Sequence, residues 1–216
     1  MRKQENEVQK SETKRRAMNF LMAEYSELNQ EFKRLRGEGL NRLNFFIAIT
    51  SSVLGGLVLL SQSGKTSGIF LQIVALGALF FLVLIGWDTF RFAISRDIST
   101  DENLRRIGRI RKFFADDYPP IAKHLPWQVD DEPTSWVKRN SSGIRRTSQS
   151  IISLLLSLIV AVSASILTNQ PLILGSSGIV SFMVAYALLR QYANKRFKKA
   201  LLSAIKDRKF PKEQEG

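Results

Sequence analysis

The sequence contains no cysteine and only one histidine, His124, and these two scarcities exclude much site chemistry. Without cysteine the chain cannot form disulfides, thiolate metal sites or cysteine nucleophiles. With a single histidine it cannot hold a metal through several imidazole groups. Serine is plentiful, but no serine lies in the strand-to-helix elbow that activates hydrolase nucleophiles. We therefore expect no enzymatic activity, no cofactor and no metal.

Charged residues are missing from three long stretches of the chain. These are Leu43 to Gly64, Thr66 to Trp87 and Thr147 to Leu189, and they contain 22, 22 and 43 residues. A hydrocarbon core about 30 Å thick is crossed by roughly 20 apolar helical residues. A water-soluble domain of this size would interrupt its helices with charge far more often. The pattern predicts membrane spans and excludes a soluble globular enzyme.

The third stretch is long enough for two crossings and divides at Asn169, Gln170 and Pro171, which form a turn signal. The predicted fold class is therefore all-α, with four transmembrane helices in two hairpins plus cytoplasmic helices. The predicted segments are a cytoplasmic N-terminal helix (1–42), spans at 43–61 and 69–88, a cytoplasmic basic helix and Pro-rich loop (89–147), spans at 148–168 and 172–190, and a basic cytoplasmic tail (191–216).

The basic residues indicate the orientation of these spans. Residues 1–42 contain ten Lys and Arg, residues 89–147 contain twelve and residues 190–216 contain nine, which leaves only Lys65 in a hairpin tip. Positive residues remain on the cytoplasmic side of a membrane, so both termini are predicted to be cytoplasmic. The net charge of +13 then reflects topology and attraction to anionic lipid head groups rather than nucleic-acid binding.

The cytoplasmic helix predicted at residues 18–43, before the first span, carries apolar residues at alternating steps of three and four. This spacing is typical of a coiled-coil seam. Such a seam packs against a helix of the same or a neighbouring subunit, and the alternative is a helix that lies on the membrane surface. We assign the candidate oligomer seam to Leu21, Tyr25, Leu28, Phe32 and Leu35.

A basic amphipathic helix is predicted at 104–114, after a helix start at Thr100 or Asp101. A helix of this kind near a membrane usually lies on anionic head groups. The alternative is that it packs on the 18–43 helix with its basic face in solvent. The candidate contacts with lipid head groups are Arg105, Arg106, Arg109, Arg111 and Lys112.

Two acidic features have simple expected roles. Asp130, Asp131 and Glu132 are consecutive carboxylates in a proline-rich loop, and we expect them to be solvated rather than to hold a cation. Asp88 ends the second predicted span, and we expect it to pair with Arg91 on the same helix face.

Small residues recur every three or four positions in the first and third spans. Small-residue stripes let helices approach closely in lipid, where van der Waals contact replaces the hydrophobic effect. The alternative is a pore lining, in which hydroxyl groups from several subunits border a narrow wet path. The residues assigned to helix packing or a pore are Ala48, Ser52, Gly56, Ser153, Ser157 and Ala161.

The segment from Arg96 to Ile98, followed by the arginine-rich stretch Leu104 to Phe114 and a Pro/Asp-rich loop, resembles uncharacterised bacterial multi-pass proteins. In these proteins a membrane hairpin precedes a similar arginine-rich stretch. The resemblance covers about residues 24–133, and it implies a location in the bacterial inner membrane without any catalytic residue. A polar residue usual in that stretch is replaced here by Gly108.

Three functions from different classes fit these features. The first is a homo-oligomer that forms a pore or perturbs the bilayer under control of its cytoplasmic helices. The second is a membrane scaffold or assembly subunit that recruits a cytoplasmic protein partner. The third, a small carrier, fits least well, because no acidic or basic residue lies well inside any span.

The charge asymmetry predicts the outcome of a topology assay. Reporter fusions at residues 65, 130 and 216 should read outside, inside and inside, because positive segments are retained in the cytoplasm. An external reading at residue 130 would contradict the predicted topology.

Overall fold

The computed structural model describes residues 2–62, 68–117, 119, 130–139, 143–167 and 171–209, and throughout these residues the regular structure is helical. The predicted all-α class is confirmed. The helices are α1 (Arg2–Gln62), α2 (Gly68–Asp117), the short α3 (Ser135–Arg139), α4 (Gly143–Leu167) and α5 (Pro171–Lys206).

Three helices are long and apolar enough to cross a membrane. The qualifying segments are Lys14–Gln62 of α1, Gly68–Asp117 of α2 and Gly143–Ala164 of α4. Only 17, 11 and 28% of their most apolar windows is buried inside the protein, so most apolar side chains there face outward. Outward apolar side chains suit a hydrocarbon environment. The arrangement is that of a multi-pass membrane protein.

The fourth predicted span, 172–190, lies on α5, which is not among these three segments. The side chains of residues 171–175 lie outside the described residues. The fourth span therefore stays a prediction.

The helix boundaries follow from the positions of proline and glycine. The first proline of the sequence is Pro119, so no proline interrupts α1 or α2. Helix α5 begins at Pro171, where a proline ring fits because the first-turn N–H groups have no helical acceptor. The predicted helix start at Thr100 or Asp101 is wrong, because α2 continues through both residues. The Asp101 carboxylate instead accepts hydrogen bonds from Thr134.

The chain divides into two compact units. Unit 1 comprises residues 1–36, 99–134 and 201–216, and unit 2 comprises residues 37–98 and 135–200. In unit 1 the buried core is formed by Leu28 of α1 with Ile107 and Ile110 of α2. Partly buried apolar side chains pack around this core, namely Leu21, Tyr25, Leu104 and Phe114.

Unit 2 has its own core, in which α1, α2 and α4 approach closely at Gly86. A Cβ atom at this position would lie 2.8 Å from Phe46 Cζ and 2.8 Å from Ile152 Cγ1. Both side chains are almost fully buried. A glycine at such a contact lets helix backbones come together in lipid. The remaining fully buried apolar side chains of this unit are Leu82, Phe90, Ile94, Leu155 and Ala193.

The close contact at Gly86 predicts that even one added methyl group is destabilising. We expect Gly86→Ala to cost about 1–3 kcal/mol, because Phe46 and Ile152 must shift in a filled core. Thermal unfolding of the purified protein in mild detergent measures the effect. Gly77→Ala on the same helix is the matched control, since a Cβ atom there meets nothing within 4 Å. Equal melting temperatures for the two variants would contradict this account.

Candidate functional site

The five cations predicted to contact lipid head groups each have an acceptor within unit 1. Arg105 Nε lies 3.1 Å from Asp101 Oδ2, and an Arg106 guanidinium nitrogen lies 2.6 Å from Glu102 Oε1. The other three pair as follows: Arg109 Nε with Asp131 Oδ2 at 3.1 Å, Arg111 with the Tyr25 hydroxyl at 3.2 Å, and Lys112 Nζ with Asp116 Oδ1 at 3.6 Å.

These contacts change how lipid binding at 104–114 has to be judged. A lipid phosphate would compete with an intramolecular acceptor at every one of the five positions. Apolar residues of the same segment, Ile107 and Ile110, are buried against α1. Lipid contact by this segment therefore stays a prediction. Within unit 1 the segment packs on the 18–43 part of α1.

Asp131 is the centre of the charged contacts in unit 1. Its side chain is fully buried, and its Oδ2 accepts hydrogen bonds from Arg109 Nε at 3.1 Å and from the Lys209 backbone N–H at 2.7 Å. Arg208 Nε lies 3.5 Å from its other oxygen. Arg109 also donates to the backbone carbonyl of Asp207 at 2.8 Å. One carboxylate thus joins the end of α5 to α2.

A second buried carboxylate fixes the far end of the 130–134 segment. Asp101 Oδ1 accepts hydrogen bonds from both the backbone N–H and the hydroxyl of Thr134, each at 2.7 Å. At the near end of this segment the backbone of Asp130 runs against Gly108. A Cβ atom at Gly108 would overlap the Asp130 carbonyl oxygen, so only glycine fits there without displacing the segment.

The solvated role expected for the acidic cluster is therefore wrong for Asp131. The sequence contains only an indirect signal for the buried role of Asp131. Two groups of basic residues, at 105–112 and 206–209, need counter-charge, and the chain has fewer acidic than basic residues to supply it. The expected pairing of Asp88 is also wrong, because its carboxylate pairs with Arg42 of α1.

The described residues hold no group of three or more His, Asp or Glu side chains that could bind a metal ion. The buried carboxylates of Asp131 and Asp101 instead contact arginine side chains. Their geometry suits holding protein segments together.

The small residues of α4 pack inside unit 2. Ser153 is fully buried, and its hydroxyl donates to the Gln149 carbonyl of its own helix at 2.9 Å. A Cβ atom on Gly178 of α5 would lie 3.9 Å from the Ser157 carbonyl oxygen and 4.0 Å from Ala161 Cβ. Helices α4 and α5 are thus in close contact through small residues.

The small residues of α1 face the opposite way. Ala48, Ser52 and Gly56 are exposed, and a Cβ atom on Gly56 would meet nothing within 4 Å. The exposed face also carries the polar and small residues Asn44, Ser51 and Gly55, and next to them the large apolar side chains of Phe45 and Leu59, which are 62 and 70% exposed. We call Asn44, Ala48, Ser51, Ser52, Gly55 and Gly56 the α1 outer face.

The seam residues are divided between core and surface of unit 1. Leu28 is buried, and Leu21 and Tyr25 pack on the same cluster with α2. Phe32 and Leu35 are half-buried. The seam therefore contacts a helix of its own chain, and its role between subunits stays a prediction.

No family model matches the chain, and no curated protein or solved structure matches it. The resemblance to bacterial multi-pass proteins stays a prediction from the sequence.

The contacts of Asp131 predict that its charge is needed for the stability of unit 1. We expect Asp131→Asn to cost about 1.5–3 kcal/mol, because buried hydrogen bonds to charged groups are lost. Hydrogen exchange at residues 205–209 should rise, since this segment loses its anchor.

Glu102→Gln provides the control. It removes the carboxylate that pairs with Arg106, but both side chains of that pair are about half exposed. An exposed pair contributes at most about 1 kcal/mol. Similar effects of the two substitutions would contradict the central role of Asp131.

Proposed function

We propose that the chain is a non-enzymatic, four-span membrane protein that assembles as a homo-oligomer and forms a pore or perturbs the bilayer. Its N-terminal and central helices, with the end of α5, form a charged cytoplasmic unit that controls this activity. The observation that carries the proposal is the α1 outer face, a polar and small-residue surface within a candidate span that the chain itself leaves uncovered.

Lipid is a poor partner for the polar side chains of this face. Polar side chains inside a membrane usually face protein or a water-filled cavity, where they find hydrogen-bond partners. Asn44, Ser51 and Ser52 face outward, while Leu43, Phe46 and Thr50 of the same helix are buried. Gly55 and Gly56 also leave room for a second helix backbone. A second copy of the chain satisfies both requirements.

The same face suits a pore when several copies surround an axis. Hydroxyl and amide groups then line the inner surface, with no charge along the apolar part of α1. A lining of this kind conducts with little ion selectivity, because no charged ring or carbonyl filter is present in the span.

The four-span arrangement supports control from one side of the membrane. An even number of crossings returns the chain to its starting side, and 31 of the 32 basic residues then share that side. Helices α1, α2 and α5 each contribute residues to both compact units.

A scaffold that recruits a cytoplasmic partner is the second candidate. It is favoured by Leu202 and Ile205, one helical turn apart on α5 and 60 and 57% exposed. Two exposed large apolar side chains on a polar helix suit a protein contact. A scaffold would leave liposomes sealed, so conductance separates the two candidates.

The test is conductance of the full chain in reconstituted liposomes. We expect Gly56→Leu to remove most of the conductance and to shift cross-linked species toward monomer. A leucine on a close helix contact costs about 1–3 kcal/mol, which corresponds to association that is about five- to hundredfold weaker.

Gly77→Leu is the matched control, because it adds the same side chain at an exposed glycine of α2 with open space around it. Its conductance should equal that of the unmodified chain. A strictly monomeric protein in nanodiscs, or sealed liposomes, would overturn the pore proposal.

A further inference from the structure

One face of α5 changes from apolar to basic along its length. Val180, Val184 and Leu188 are exposed at steps of four residues. Lys195, Lys198 and Lys199 follow seven to eleven residues after Leu188, so they continue the same helix face and are also exposed. The apolar part of this face suits hydrocarbon, and the lysines extend it beyond the hydrocarbon edge.

The spacing suits the head-group layer. At about 1.5 Å per residue, Lys195 lies about 10 Å beyond Leu188 along the helix axis. The head-group region adds about 5–7 Å to each side of the hydrocarbon core. Flexible lysine stems bend back toward an interface, and attraction at physiological salt extends about 8 Å. The first two lysines are therefore within reach of lipid phosphates.

These lysines also differ from the cations at 104–114 in their surroundings. Each of the five cations there has an acceptor in its own unit, as described above. No residue from Arg190 to Lys206 is acidic, and no carboxylate of the described residues pairs with Lys195, Lys198 or Lys199. Their positive charge is available to an external anion.

We propose that Lys195 and Lys198 of α5 bind the phosphate groups of anionic membrane lipids, with the adjacent Lys199 adding to the attraction, and that this segment, rather than 104–114, is the lipid-binding element of the chain. The proposal rests on the four-span arrangement, since α5 must carry its apolar half into the bilayer. Anionic lipid is the occupant that fits, because the lysine cluster is complementary in charge and continuous with an apolar, outward helix face.

Lipid enrichment around α5 tests the proposal in the full chain. Because the protein lacks cysteine, a Gln191→Cys substitution allows one donor fluorophore to be attached beside the lysine cluster. Energy transfer to a fluorescent phosphatidylglycerol is measured in nanodiscs of phosphatidylcholine with a small fraction of phosphatidylglycerol. A fluorescent phosphatidylcholine gives the baseline.

We expect phosphatidylglycerol to be enriched around the unmodified α5. The apparent lipid affinity should fall about tenfold or more in the triple variant Lys195→Gln, Lys198→Gln, Lys199→Gln. The corresponding triple substitution to Arg keeps the charge and should retain the enrichment. Equal enrichment in the Gln variant and the unmodified chain would overturn the proposal.

Two further measurements separate this outcome from failure of the proposed function. Reporters at residues 130 and 216 on opposite sides of the membrane would overturn the four-span arrangement, and the lipid proposal with it. If both read inside while the Gln variant still enriches phosphatidylglycerol, only the lipid proposal fails. Loss of enrichment in Leu202→Ser, Ile205→Ser but not in the Gln variant would show that apolar contact rather than the lysines holds the lipid, and it would also overturn the proposal.

Discussion

Charged side chains cannot be left unpaired in hydrocarbon without a large free-energy cost, and this constraint confines the charge of the chain to the segments outside the apolar stretches. Where these stretches end, the described cations have close partners. Arg42 pairs with Asp88 and lies over the Phe92 ring at 4.4 Å. Arg145 is almost fully buried over the Phe197 ring at 5.2 Å. Aromatic rings thus help to stabilise cations at the ends of the apolar helices.

A shortage of acids shapes unit 1 in the same way. The chain has 32 basic and 19 acidic residues, so carboxylates must each serve several donors. Asp131 accepts from Arg109 and from the Lys209 backbone, and it also lies beside Arg208. A buried carboxylate with several charged donors tolerates no substitution that leaves those donors unpaired. Asp131 therefore holds residues 207–209 together with Arg109 and Asp130.

Local patterns in the sequence were sufficient to predict the helices, but not the contacts between distant segments. The spacing of Leu21, Tyr25 and Leu28 predicted an apolar seam, and these side chains pack with Ile107 of the same chain, while their role between subunits stays a prediction. Asp88 and Asp101 were assigned to neighbours in sequence because helix rules act over three or four residues. The structure pairs Asp88 with Arg42, 46 residues away, and adds Thr134, 33 residues away, to the local partner Arg105 of Asp101. Such partners depend on tertiary packing, which spacing alone does not encode.

The small-residue stripes of α1 and α4 are equivalent in the sequence, because in both of them small residues recur every three or four positions. Their surroundings separate them: Ser157 and Ala161 lie where α4 meets α5, whereas Ala48, Ser52 and Gly56 face outward. A helix in lipid gains no hydrophobic free energy from association, so close van der Waals contact and hydrogen bonds must supply it. The α4 stripe already makes its contacts within the chain. Among the described residues the α1 outer face makes no such contact, and this difference between the two stripes is the basis of the proposed assembly.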